Sequence, residues 1–246
     1  MNIVILTVER PNKTPYLDRL LVTIRPEYKG LIHLLIGGKN TAYTDKYKDG
    51  YVKHYLWETE KDLENNIQRA SQAYQYALQI DKKNPVLIFE DDAVLKKGWY
   101  EKLNKIIYFT HEKYFLLSLI TPSEGDVPNP NIDVDSIQLY NYKAFLDYKI
   151  PGQPPVTTIV TYSNTTGMYY PVSMLKTRLA KYINTFGVKG DAVHDILVGQ
   201  YAFRYNIPIF IAVPNLLKKV DSRDSSLGNE KKPNTVDYSK WNYKDL

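Results

Sequence analysis

Apolar runs and amphipathic stretches alternate along the first 120 residues of the chain. An uninterrupted apolar run of about four to eight residues indicates a buried strand, and apolar residues at helical spacing indicate a helix with one buried face. This pattern predicts strands at 3–8, 31–36, 52–57, 86–89 and 114–120, and helices at 16–24, 62–80 and 99–109. Strands that alternate with helices are typical of an α/β fold, with a mostly parallel, twisted sheet flanked by helices on both faces.

The pattern changes in the second half of the chain. Residues 121–155 are rich in Pro, Asn and Asp and contain one short apolar piece at 137–140, which predicts long loops with a small hairpin. Beyond them, ordered elements are again predicted: a strand at 156–162, helices at 171–186 and 195–205, and a strand at 207–213.

The length of 246 residues is compatible with one compact domain made of two halves. We place the halves at about 1–120 and 121–220, followed by a polar tail at 221–246. The apolar run at the start of the chain is far too short for a signal or membrane segment, so we predict a cytoplasmic protein without a membrane span.

Three adjacent carboxylates follow the apolar run at 86–89 and are the most informative feature of the sequence. Glu90, Asp91 and Asp92 end that predicted strand, and a second apolar trio follows them at 93–95. Carboxylates against a core are costly unless they are neutralised, and a divalent metal that also binds a phosphorylated ligand would do this. The alternative is an ordinary exposed turn. The apolar trio favours the metal site, because the chain returns to the interior directly after the acids.

Composition narrows the possible functions. The chain has no cysteine, which excludes thiolate metal sites and a cysteine nucleophile. The formal net charge of +5 is spread over short lysine pairs, and no nucleic-acid-binding signature accompanies them. We therefore expect no nucleic-acid partner, although a mild positive charge suits an anionic substrate such as a nucleotide diphosphate.

Candidate binding residues cluster at the ends of predicted strands. In open α/β sheets, ligands bind beyond the carboxyl ends of the strands. Thr7, Glu9 and Arg10 follow the first strand, Gly37 follows the second, and the acid triplet follows a later one. Glycine lets the backbone approach a ligand closely, and Arg10 suits a phosphate or a base.

Several short segments resemble those of one enzyme family. The acid triplet stands where that family has its DxD-type motif, with Glu90 in the first position. Residues 164–171 resemble the segment that leads into its acceptor-side helix, and 194–199 resemble the acidic segment that begins a late helix. In these segments the chain resembles the GT-A fold glycosyltransferases that use nucleotide sugars, including the small glycosyltransferase domains of large algal viruses. A viral origin would place the protein in the host cytoplasm.

The resemblance implies a UDP-sugar donor, a Mn²⁺ or Mg²⁺ ion and a glycan or glycoprotein acceptor. Asp92 would bind the metal directly together with Glu90, and Glu90 and Asp91 would also act through water or the donor ribose. The first half of the chain would hold donor and metal, and the second half the acceptor. The remaining donor contacts implied by the resemblance are Thr7, Glu9, Arg10, Gly37 and Arg69.

One departure from the family and the choice of the general base leave questions open. Many relatives carry a late histidine beside the diphosphate, whereas 216–221 contains none, and Lys219 would contact a phosphate instead. An inverting enzyme needs a general base for the acceptor hydroxyl. Asp195 matches the family acid, Asp191 competes with it, and His194 is a third candidate. Inversion is favoured over retention without being settled, and the oligomeric state stays open.

Other function classes fit less well. A sugar-nucleotide pyrophosphorylase needs a glycine-rich loop after the first strand, and residues 7–12 contain no glycine. The paired carboxylates of a glycoside hydrolase lie on separate elements, unlike three adjacent acids. A non-catalytic domain that binds carbohydrate or nucleotide sugar stays open as an alternative.

Overall fold

The fold was analysed in a computed structural model. It describes residues 1–8, 15–37, 45–47, 52–57, 66–110, 113–121, 136–139, 144–148, 156–160, 162, 164–188 and 192–220. Of the candidate site residues, Glu9, Arg10 and Asp191 lie outside the described residues, as does the predicted polar tail at 221–246.

The elements of the first half follow the predicted order. They are β1 (Asn2–Val8), α1 (Tyr16–Ile24), β2 (Ile32–Gly37), β3 (Val52–Trp57), α2 (Asn66–Gln79), β4 (Val86–Glu90), β5 (Ala93–Leu95), α3 (Trp99–Phe109) and β6 (Leu116–Ser118). The strand predicted at 114–120 is shorter than expected, and the second apolar trio forms a strand of its own.

The second half contains β7 (Ser136–Leu139), β8 (Ala144–Tyr148), β9 (Val156–Val160), β10 (Gly167–Tyr170), α4 (Ser173–Ile183), a π-helix (Asn184–Val188), α5 (His194–Arg204), β11 (Ile209–Val213) and β12 (Leu217–Lys219). The helix predicted at 171–186 therefore begins two residues later and ends in a π-turn. The apolar piece at 137–140 forms no local hairpin, because β7 pairs with β11, and the hairpin is made by β8 and β9 instead.

Eight strands form the main sheet within the described part of the chain, in the order β3-β2-β1-β4-β10-β6-β11-β7. The pairs β3–β2, β2–β1, β1–β4 and β6–β11 are parallel. Strand β10 is antiparallel to both of its neighbours, and β7 is antiparallel to β11. Six of the eight strands therefore point the same way, and the prediction of a mostly parallel α/β sheet is confirmed.

Both faces of the sheet are buried. Along β1, Ile3 and Ile5 join one apolar cluster, with α1 and α3, while Val4 joins the other, with α2, α4 and α5. Strand β4 alternates in the same way. A sheet covered on both sides requires apolar residues at every position, which explains why its strands appear in the sequence as continuous apolar runs. The prediction of helices on both faces is confirmed.

A second, two-stranded sheet brings β12 next to the acid triplet. Strand β12 pairs antiparallel with β5, and Lys219 lies opposite Ala93. The Val220 N–H also donates a hydrogen bond to the Asp92 carbonyl at 2.8 Å. This pairing fixes the Lys219 backbone beside the carboxylates.

No helix in the described ranges combines the length and the apolar character needed to cross a membrane.

Candidate functional site

The acid triplet lies at the carboxyl ends of the central strands. Glu90 ends β4, its N–H donates to the Thr166 carbonyl at 3.1 Å, and the Asp91 N–H donates to the Leu6 carbonyl at 3.1 Å. Asp91 is 2% exposed and Asp92 is 5% exposed. The alternative of an ordinary exposed turn is therefore wrong, and these carboxylates need partners inside the protein.

Asp91 connects the ends of the two neighbouring strands. Its Oδ2 accepts a hydrogen bond from Thr7 Oγ1 at 2.8 Å and lies 3.5 Å from the Val8 N–H nitrogen. The structure therefore brings together two of the residues that the sequence proposed for the donor. The Asp91 carboxylate therefore holds the last two residues of β1.

Glu90 has three polar neighbours. Its Oε1 accepts a hydrogen bond from Thr165 Oγ1 at 2.8 Å and lies 3.7 Å from His194 Nε2, and its Oε2 lies 3.3 Å from Lys219 Nζ. Burial raises the pKa of Glu90, but the charge of Lys219, the nearby imidazole and the Thr165 hydrogen bond outweigh burial. The net pKa lies well below its ordinary value, so Glu90 is ionised at neutral pH.

Lys219 lies between the first and last acids of the triplet. Its Nζ is 3.3 Å from Glu90 Oε2, 3.3 Å from Asp92 Oδ2 and 3.2 Å from Thr166 Oγ1. Burial lowers the pKa of Lys219, yet the two carboxylates outweigh burial and raise it above its ordinary value. The Lys219 side chain as a whole is 34% exposed.

Asp92 is the least compensated member of the triplet. Its Oδ1 is buried and has no hydrogen-bond partner among the residues that the structure describes. Burial raises the pKa of Asp92, Lys219 lowers it, and the charges of Glu90 and Asp91 raise it further, to about 6. Among the described residues, Glu90 and Asp92 share the Lys219 ammonium, so one ammonium faces two carboxylates.

These oxygens fit a divalent cation that completes its coordination with a substrate. Among the described residues, no three His, Asp or Glu side chains are grouped so that they could hold a metal ion by themselves. Mg²⁺ commonly binds one or two carboxylates together with substrate phosphates, and carboxylate oxygens also suit Mn²⁺. Asp92, through Oδ1, and the neighbouring Glu90 could supply two carboxylates to a site of that kind.

His194 completes the inner wall of the site. It begins α5, is 8% exposed, and stacks on Tyr74 with ring centroids 4.7 Å apart. Tyr74 in turn shares a 2.5 Å hydrogen bond with Tyr170. Within the described ranges, neither ring nitrogen of His194 has a hydrogen-bond partner. The start of α5 is thereby held next to Glu90.

Asp195 lies in the first turn of α5, one residue after His194. It is partly exposed, and its Oδ1 accepts a hydrogen bond from the Ile196 N–H at 2.7 Å. A carboxylate is favourable at a helix N-terminus, where unpaired N–H groups give a positive potential. Its role as general base stays a prediction.

Two further candidates lie on neighbouring elements. Gly37 ends β2 beside Val8, and a Cβ added to it would be 3.7 Å from the Thr7 carbonyl oxygen, an ordinary contact. Protein packing therefore does not require glycine at this position. Arg69 is exposed near the start of α2.

Sequence reasoning did not connect Thr165 and Thr166 with the acids. Strand β10 runs antiparallel to β4, with Gly167 opposite Phe89, so the residues before β10 meet the residues after β4. Gly167 faces Leu217 and Phe89 so closely that a Cβ would lie 2.3 Å from a Leu217 methyl carbon. The sequence signal for this close packing was Gly167 itself, which lies between two threonines and an apolar trio.

Searches against known proteins show similarity at the level of the fold. No family model and no curated protein sequence matches the chain. Among solved structures, the inositol-1-phosphate CTP transferase from T. maritima is similar with a TM-score of 0.52 and 10% identity, over 90% of this chain and 89% of that one. S. aureus TarS, residues 1–349, is similar with a TM-score of 0.51 and 15% identity over 88% of this chain.

The chain spans 58% of that TarS fragment and 37% of a longer TarS structure, which also has a TM-score of 0.51. The fold is thus that of Rossmann-like GT-A proteins. At these identities the similarity concerns the fold alone, and no viral relative is among these structures.

Proposed function

We propose that this protein is a glycosyltransferase that moves a sugar from a UDP-sugar donor to a hydroxyl group of a glycan or glycoprotein acceptor. The observation that carries the proposal is the acid triplet at the carboxyl ends of the central parallel strands. Asp91 and Asp92 are buried there, and the Lys219 ammonium lies between Glu90 and Asp92. In this type of sheet, that edge is where ligands bind. The fold is shared with TarS, a GT-A-like glycosyltransferase.

The donor chemistry accounts for the charges. Breaking the glycosidic bond leaves a nucleoside diphosphate whose negative charge has to be stabilised. Mn²⁺ or Mg²⁺ held by Asp92 and Glu90 would act as a Lewis acid on that diphosphate when bound. Lys219 adds a positive charge that can face a phosphate, and Thr7, with its hydroxyl on Asp91, holds the end of β1 in place for the nucleoside.

The acceptor side needs one general base. We assign Asp195 to this role, with Asp191 as the competing residue and inversion as the expected outcome. Asp195 directly follows His194, whose ring is 3.7 Å from Glu90, so the base would begin the helix that borders the donor site. Residues 121–155 and 165–170 would contact the acceptor.

The test is UDP release from a panel of UDP-sugars, with Mn²⁺ or with EDTA, for the wild-type protein and Asp92→Ala. Turnover of one donor that requires metal and is lost in the variant supports the proposal. UDP binding without turnover of any donor favours a non-catalytic nucleotide-sugar-binding domain. A protein that neither turns over nor binds UDP overturns the assignment.

Nucleotidyl transfer is the second candidate, because the similarity to a CTP transferase extends over nearly the whole of both chains. The absence of glycine at 7–12 argues against it, since a pyrophosphorylase cradles its nucleotide with glycine N–H groups after the first strand. Pyrophosphate release from CTP or UTP with sugar phosphates would distinguish it from sugar transfer.

A further inference from the structure

Lys219 occupies the position between Glu90 and Asp92 that a divalent cation would take. Its ammonium is 3.3 Å from a carboxylate oxygen of each acid. A cation added alone therefore has to compete with a positive charge that is already there and is attached to the chain. Charges of the same sign a few ångströms apart repel each other, and the repulsion is stronger inside a protein than in water.

The ammonium can leave without disturbing the fold. The Lys219 backbone is held by the pairing of β12 with β5 and by the hydrogen bond from Val220 to Asp92. Its side chain is 34% exposed and ends on a flexible four-carbon stem. A movement of the ammonium would therefore require changes in side-chain torsions only.

One carboxylate oxygen of Asp92 could bind the cation when it replaces the ammonium. Its Oδ1 is buried and has no hydrogen-bond partner in the described part of the chain, while its Oδ2 faces Lys219. When the ammonium withdraws, both oxygens become available to a hard cation. The unpartnered oxygen is an observation independent of the ion pairs, and it indicates a ligand that the triplet alone does not supply.

We propose that Lys219 makes divalent-cation binding conditional on the donor: the ammonium keeps the cation from Glu90 and Asp92 until a nucleoside diphosphate is present, and then moves to the diphosphate. The proposal rests on the proposed function for the identity of the anion. Lys219 is thereby a positioning residue: the cation binds after the donor, because the negative charge of the diphosphate attracts the ammonium away from the acids.

The chain contains a matched control. Lys218 precedes Lys219 on β12, is exposed, and lies opposite Val94 rather than Ala93. Successive side chains of a strand point to opposite faces. Lys218→Met therefore removes the same charge from the same strand without removing the ammonium between the acids.

The experiment is calorimetric titration with MnCl₂ alone, and then with UDP at saturating Mn²⁺, for wild type, Lys219→Met, Lys219→Arg and Lys218→Met. We expect Lys219→Met to bind Mn²⁺ alone about tenfold more tightly than wild type and to bind UDP about tenfold more weakly. Lys219→Arg and Lys218→Met should match wild type for Mn²⁺ alone. Lys219→Gln replaces the methionine variant if circular dichroism shows that the latter is unfolded.

Equal Mn²⁺ affinity of Lys219→Met and wild type would overturn the proposal. Tighter Mn²⁺ binding with unchanged UDP affinity would overturn the movement of the ammonium to the diphosphate. Failure of the proposed function has a different signature: UDP binds none of the proteins, with or without Mn²⁺, while the comparison of Mn²⁺ affinities still tests the competition with Lys219.

Discussion

Two lysines lie at opposite ends of β4, and their surroundings differ in kind. Lys176, on α4, is fully buried and donates hydrogen bonds to the backbone carbonyls of Asp81 and Asn84, just before β4 begins. Burial lowers the pKa of Lys176, partly offset by the nearby Asp81. Lys219, at the other end of the strand, has two carboxylates as partners and is partly open to solvent.

The difference separates a completed structural site from one that has capacity for a ligand. At the Lys176 end, the Asp81 carboxylate accepts N–H bonds from Asn84 at 2.9 Å and Lys83 at 2.8 Å, which help lower its pKa to about 2. At the Lys219 end, Asp92 keeps a buried oxygen without a partner and a raised pKa. Polar groups that satisfy each other serve the fold, and groups left incomplete indicate binding.

The largest expected effect is on catalysis at the Lys219 end. Asp195→Asn should lower turnover about 10²- to 10⁴-fold, because an amide cannot accept the acceptor proton, while UDP affinity stays unchanged. Turnover and calorimetric UDP binding measure the two quantities. Asp191→Asn is the matched comparison: if it, and not Asp195→Asn, abolishes turnover, the assignment of the base is wrong.

At the opposite end, Lys176→Met should lower the free energy of unfolding by about 2 kcal/mol, because the backbone carbonyls of Asp81 and Asn84 lose a charged donor. Turnover per folded molecule should not change. Urea denaturation measures the stability, and Lys181→Met, an exposed lysine on the same helix, provides the control. A loss of activity larger than the loss of folded protein would show that the two ends are not separate in function.

Asp92→Asn should stabilise the protein above about pH 6. The folded-state pKa of about 6 lies above the ordinary value of 3.8, so the folded protein resists ionising Asp92 while the unfolded chain does not. The stability of the wild type should therefore fall as the pH rises from about 4 to 6, by about 1 to 3 kcal/mol. Melting curves should show equal stability of the two proteins near pH 3.5 and a more stable variant at pH 7. A more stable wild type at pH 7 would contradict the charge balance derived for the triplet.

Gly37→Ala should have the smallest effect on stability, within about 0.5 kcal/mol, because the added methyl group would make only ordinary contacts. A drop in UDP affinity at unchanged stability would show that glycine is present for the ligand. Unchanged UDP affinity would remove Gly37 from the donor site.

The sequence predicted the first half of the fold well because its signals are local. Strands β1, β2 and β4 are mostly apolar runs, and α1 and α3 have the predicted bounds. Strand β10 was missed because four residues, Gly167 to Tyr170, give no periodicity, and nothing local specifies insertion between β4 and β6.

The site could likewise be predicted only where its signal is local. Glu90 and Asp92 were recognisable as a motif, whereas their contact with Lys219 spans more than a hundred residues and depends on β12 returning to β5.

The position of β10 determines whether the chain can be cut into fragments that fold independently. Strands β7, β10 and β11 come from the second half of the chain, and β10 separates β4 from β6 in the sheet. A fragment ending near residue 120 would contain β6 without either of its neighbours, and the complementary fragment would contain β10 without β4. The two parts of the chain are thus complementing fragments rather than exchangeable modules, because each part contains strands whose sheet neighbours lie in the other.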